Sequence, residues 1–152
     1  EIGVRLVGSE MCIRDREKPL YKTLEKLAGD GKASCTGREN RKKLQIETTF
    51  DGTRVHPEQT GSITNLSTDN FTPAAFVYGT LEGMSRELYQ MYQTIQNGTG
   101  MQIKRMIGSG NGLRKNPVLC GIVEEMFGAK LALAECEEEA ATGAAISTNN
   151  MK

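Results

Sequence analysis

The chain has 152 residues, with 19 basic side chains balanced by 19 acidic ones. That length suffices for one domain with its own core, and the even charge argues against nucleic acid as the main partner. No run approaches the ~20 apolar residues of a membrane-spanning helix, so no membrane partner is expected. Residues 1–16 lack the continuous apolar core of a signal peptide. Cys12, Cys35, Cys120 and Cys136 form no CxxC pair, and His56 is the single histidine. This usage argues against a zinc site or a disulfide framework and fits a reducing, cytoplasmic setting. Cys120 reads as a small hydrophobe facing a helix core.

In chain order, residues 1–16 (EIGVRLVGSEMCIRDR) show no period and no cap. Their ending, MCIRDR, resembles translated sequencing-adapter sequence, so the stretch is expected to be non-native. The alternative is a disordered N-terminus. Residues 17–28 read as a helix carrying Leu20, Leu24 and Leu27, with Gly29 as its stop. Residues 29–43 read as an exposed loop. Its run Arg38-Glu39-Asn40-Arg41-Lys42-Lys43 is a solvated charge cluster or, alternatively, a phosphate patch.

Residues 44–50 alternate Leu44, Ile46, Thr48 and Phe50 on one face, the pattern of a half-buried strand. Residues 51–70 are turn-rich and long for a connection, which points to function. Within them Asp51 reads as a turn-former before Gly52, and His56 as an exposed or locally bonded imidazole. Residues 72–96 give the best helix, with Thr72 as N-cap, Pro73 at the first position and Asn97-Gly98 as the stop. Its apolar stripe is Val77, Leu81, Met84, Leu88, Met91 and Ile95, expected to pack on a sheet. Gly79 and Gly83 interrupt it at a helical cost, which implies close approach of another backbone or a ligand.

Residues 103–107 read as a strand that enters the turn Gly108-Ser109-Gly110-Asn111. A helix over 117–127 follows, with Asn116 as N-cap and Pro117 at its first position. Val118, Leu119, Ile122, Val123 and Met126 form its buried face. Residues 130–134 read as a short strand, and 137–147 as a last helix with three acids in its first turn. The alternation argues for layered α/β architecture. The glycine turn offers backbone approach and a helix start, the elements of a nucleotide site. It is not a P-loop, because Leu113 follows Gly112, nor the dinucleotide fingerprint, whose spacing it breaks. Taken alone, it is either a nucleotide turn or a tight strand-to-helix connection.

Four elements in order extend that reading: Leu81-Glu82-Gly83, Gly108-Ser109-Gly110-Asn111, Asn116-Pro117, and Glu138-Glu139-Ala140-Ala141-Thr142-Gly143-Ala144-Ala145. Together they resemble the C-terminal half of the FGGY family of carbohydrate kinases, and most of all its sedoheptulokinase branch. The resemblance covers residues 17–148, leaving 149–152 as a tail. It implies an α/β fold, the C-terminal lobe of an actin-like, RNase H-like ATPase domain with a mixed sheet and flanking helices, incomplete at its N-terminus. It implies ATP and Mg2+ as cofactors, a ketose such as sedoheptulose as sugar substrate, and Gly108, Ser109, Gly110, Asn111 and Asn116 as nucleotide-binding positions. Catalytic and metal residues are expected upstream, so the chain alone is expected to be inactive. A homodimer is compatible with the resemblance.

In the family's usual Gly-Glu-Arg-like turn this chain has Asp51-Gly52-Thr53-Arg54, without the Glu. Glu82 matches the family's Glu-Gly pair and is expected to pair within the fold. Two alternatives stand beside this reading. One is a kinase of the same family acting on another sugar or polyol, such as xylulose or glycerol. The other is a non-catalytic α/β module that binds a partner through the 77–95 stripe.

Overall fold

The computed structural model describes residues 20–34, 43–53, 56–135, 142–143 and 146–147. The 1–16 stretch, the basic run up to Lys42, Arg54, most of the 137–147 helix and the 149–152 tail lie outside the described residues. Residues 142–143 and 146–147 are helical, as expected.

Helix α1 covers residues 20–34 and does not stop at Gly29. It continues because Ala28 and Gly31 are its buried contacts, and Gly31 lies so close to Ala74 that a side chain would not fit. Leu20, Tyr21 and Leu24 are exposed. Part of the expected 29–43 loop is therefore helix.

Strand β1 is Gln45–Glu47, shorter than the alternation predicts. Leu44 and Ile46 are buried as expected, but Phe50 is exposed, because the chain turns at Phe50–Asp51. β1 pairs antiparallel with β2, Ser62–Thr64, in the register Ile46↔Ile63. The turn-rich sequence of 51–70 predicts an irregular loop here. Ser-Ile-Thr is too short to show a period, and cross-strand pairing makes it a strand. The Ser62 hydroxyl donates to the Glu47 carboxylate at 3.0 Å across that pair.

Helix α2, Pro73–Thr99, begins where the cap residues predict. The Thr72 hydroxyl accepts the Ala75 N–H at 3.2 Å. The helix runs past Asn97-Gly98 and ends at Gly100, whose left-handed φ of 70° and N–H to Gln96 O at 2.7 Å form the cap. The expected apolar stripe does not face the sheet. Met84, Leu88, Met91 and Ile95 are exposed, whereas Tyr78, Gly79, Gly83 and Ser85 are buried. The glycine flank faces inward because it alone admits the β1 backbone, and exposed apolar surface on this helix is the result.

The second half of the fold is a strand–helix–strand unit. Strand β3, Met106–Gly108, leads through helix α3, Asn111–Arg114, and helix α4, Pro117–Phe127, to strand β4, Leu131–Leu133. β3 and β4 pair in parallel, with Gly108 opposite Leu133. Ile103, expected to start the strand, instead donates its N–H to the Tyr92 hydroxyl at 3.1 Å. α4 keeps its expected bounds, and Ile122 and Val123 are its buried residues. It packs on α2 through Tyr89, Tyr92 and Phe127, with Tyr89 and Phe127 edge to face at 5.1 Å.

Candidate nucleotide turn

The turn after β3 is built by its neighbours. Gly108 is buried, and a β-carbon there would press within 2.8 Å of Leu113 Cδ1. Its carbonyl accepts the Ala134 N–H at 2.8 Å, so the carboxyl ends of the two parallel strands are tied together. In open α/β sheets this edge is where ligands collect. Ser109 and Asn111 are exposed there. Gly110 has φ of 89°, a conformation a side chain would strain, and nothing stands within 4 Å of where its β-carbon would be. No side chain of Gly110 therefore stands between its backbone and a ligand on that side.

Two expectations change here. The turn does not run straight into the long helix, because the single-turn helix α3 intervenes, held by Arg114 N–H to Gly110 O and Lys115 N–H to Asn111 O. Asn116 therefore sits beyond α3 at the head of α4, where its side-chain oxygen accepts the Leu119 N–H at 3.0 Å. Its N-cap role holds, and its oxygen points into the helix start. The turn and Asn116 are two separate features joined by α3. No sequence signal marks α3, whose four residues include a glycine.

Other named residues serve the fold. Glu82 accepts from Lys43 Nζ at 2.6 Å and lies 3.8 Å from Arg86. Lys43 also stands over the Tyr78 ring at 5.3 Å. Glu82 therefore pairs within the fold, as expected. His56 Nδ1 lies 3.3 Å from Glu58, and the His56 backbone N–H donates to Thr53 Oγ1 at 2.9 Å. Asp51 occupies a turn in which Gly52 N–H donates to Thr49 O at 3.1 Å. Cys120 is half-buried and donates to Leu113 O at 3.2 Å. Burial, then the negative charge of Glu124, pushes its thiol pKa above the ordinary 9.0.

Sequence reasoning missed Glu124, whose carboxylate accepts the Leu131 N–H at 2.8 Å and fixes where β4 begins. It also missed a polar cleft of about 70 Å3 between β1 and α2, lined by Thr48, Thr49, Gln59, Arg86 and Glu87. The cleft joins residues far apart in the chain, and the Glu124 contact depends on where β4 begins to pair, so neither leaves a helical or strand period. Among the described residues no group of three or more His, Cys, Asp or Glu side chains converges on one point. No helix is long and apolar enough to cross a membrane among the described residues.

A model of the FGGY family of carbohydrate kinases, C-terminal domain, matches residues 21–149. The chain belongs to this family. No curated protein matches it in sequence. Among solved structures it is similar to xylulose kinase from Bifidobacterium adolescentis, with a TM-score of 0.62, 19% identity and 76% of this chain covered. It is also similar to Plasmodium falciparum glycerol kinase with ADP, with a TM-score of 0.66, 16% identity and 91% covered. Xylulose kinase from Rhodospirillum rubrum matches at TM-score 0.54 and 19% identity over 77% of this chain. The match covers 22%, 26% and 26% of those three proteins, so the FGGY chain spans about a quarter of their length. Its mixed α/β architecture is that of an FGGY C-terminal lobe of the actin-like ATPase fold.

Proposed function

We propose that this chain is the nucleotide-side part of an ATP-dependent carbohydrate kinase, and that Gly108, Ser109, Gly110 and Asn111 receive the adenosine part of ATP. The observation that carries the proposal is the open turn at the joined carboxyl ends of β3 and β4, with Gly110 at φ of 89°. Backbone there can approach a planar or phosphorylated ligand without a side chain between. Asn116 contributes by starting α4 behind the turn. When bound, ATP supplies the phosphoryl group for a sugar hydroxyl, and the residues of this chain hold and orient the nucleotide.

The sugar is a second part of the proposal. The resemblance of residues 17–148 to the sedoheptulokinase branch favours a ketose, sedoheptulose first. Likeness to a xylulose kinase and a glycerol kinase supports those substrates equally. Residues 17–148 form the domain in this reading, and its setting is the cytoplasm.

Titration of the labelled chain with ATP, followed through its backbone amide signals, tests the site. Shifts confined to residues 108–116 are expected. Their absence at millimolar ATP would favour the interaction module, in which the exposed α2 face is the working surface. A second assay tests inactivity: clear ATP-dependent phosphorylation of a ketose by the 152-residue chain alone would overturn it.

A further inference from the structure

The geometry points to Asn111-Gly112 as a site of spontaneous deamidation that the fold leaves open, while the same fold protects the chain's other Asn-Gly pair. The two pairs are Asn97-Gly98 and Asn111-Gly112. Both asparagines are exposed, and neither glycine would meet anything within 4 Å of an added β-carbon. Sequence and exposure therefore do not distinguish them.

The reaction needs the nitrogen of the following residue. Gly112 N attacks Asn111 Cγ, its proton passes to solvent, and the side-chain nitrogen leaves as ammonia. The bond from Cγ to the Gly112 nitrogen closes a succinimide. Water then opens the ring at either carbonyl and leaves aspartate or isoaspartate. No oxidant or cofactor enters.

Hydrogen bonding decides which nitrogen is available. Gly98 lies inside α2, whose end is closed beyond it by Gly100 N–H on Gln96 O. Its N–H belongs to the helix ladder, and the helix must open before that nitrogen can turn toward the Asn97 side chain. Gly112 is the second residue of α3, where a helix has no internal acceptor to offer. The α3 N–H bonds begin at Arg114 and Lys115, and Gly112 N–H has no acceptor among the described residues. α3 is also a single turn, four residues long, so little cooperative structure resists the rotation.

Deamidation would place a negative charge in the turn assigned to ATP, and that consequence, unlike the chemistry, rests on the nucleotide reading. Ageing the folded chain in warm, mildly alkaline buffer and then cleaving at Lys and Arg gives separate peptides, 87–104 with Asn97 and 106–114 with Asn111. Isoaspartate and the accompanying mass gain are expected in 106–114 about tenfold faster or more, since a helix-opening cost of about 1.4 kcal/mol already gives that ratio. In denaturant the two peptides should convert at similar rates. Gly112→Ala, whose added carbon meets open space, should suppress conversion at Asn111 in the folded chain. Equal rates in the folded chain, or conversion at Asn97 first, would overturn the proposal. The mass readout involves no nucleotide. Unchanged ATP shifts in a fully converted chain would count against the nucleotide turn and leave the deamidation site standing.

Discussion

The carbonyl oxygen of Ile46 lies against the Cα of Gly83, where any β-carbon would collide with it. That approach docks β1 on α2, and Ile46 is 2% exposed as a result. Gly83→Ala gains helix propensity but forces two backbones apart. A net loss of about 1–3 kcal/mol is expected, read as a lower midpoint in urea unfolding. Gly98→Ala, facing open space in the same helix, should be neutral or stabilising by about 0.5–1 kcal/mol. Equal effects at both sites would refute the docking argument.

Lys43 and Glu82 should matter more than Lys32 and Glu125. The first pair has side chains 29% and 13% exposed, the second 35% and 63%. Lys43→Met leaves a shielded carboxylate with only the longer contact to Arg86 at 3.8 Å and is expected to cost about 1–2 kcal/mol. Lys32→Met removes a more solvated pair worth at most about 1 kcal/mol. Thermal melts of the two variants side by side provide the comparison.

Asn116→Ala removes the α4 cap and should lower stability by about 0.5–2 kcal/mol, whereas Asn116→Asp or Asn116→Ser should restore most of it. Because the Asn116 oxygen is engaged by Leu119, the serine variant should shift with ATP much as the wild type does. Loss of ATP shifts in a stable serine variant would assign Asn116 a direct ligand role instead.

Cys120 makes stability depend on pH at the alkaline end. Its folded pKa is raised above 9.0, so its contribution is fully present below that value. It is lost as pH climbs through the folded pKa, since the unfolded chain gives up the proton more readily. Wild type and Cys120→Ala compared by urea unfolding across that range should show a steeper alkaline decline for the wild type. Parallel curves would contradict the assignment.

The helix starts and the candidate turn were legible because their signals are local. Thr72-Pro73 and Asn116-Pro117 place two helix starts through hydrogen bonds that span three residues. Gly108 and Gly110 mark a turn through what a missing side chain permits. Gly79 and Gly83 announced a close approach without saying to what. β2 and α3 were not legible, since three and four residues are too few to carry a period.

By itself the sequence determined the family, the order of its longer elements and the location of the turn. Capping, periodicity and glycine placement are properties of neighbouring residues, and they survive without knowledge of the fold. Tertiary structure alone decided which flank of α2 faces inward, how far α1 continues, and that α3 separates Asn116 from the turn. Two of those depend on contacts between residues far apart in the chain, Ile46 on Gly83 and Ala74 on Gly31, while α3 is closed by Leu113 packing against Gly108 under the cover of Leu131. Such contacts are set by space and by hydrogen-bond partners, which no local pattern records.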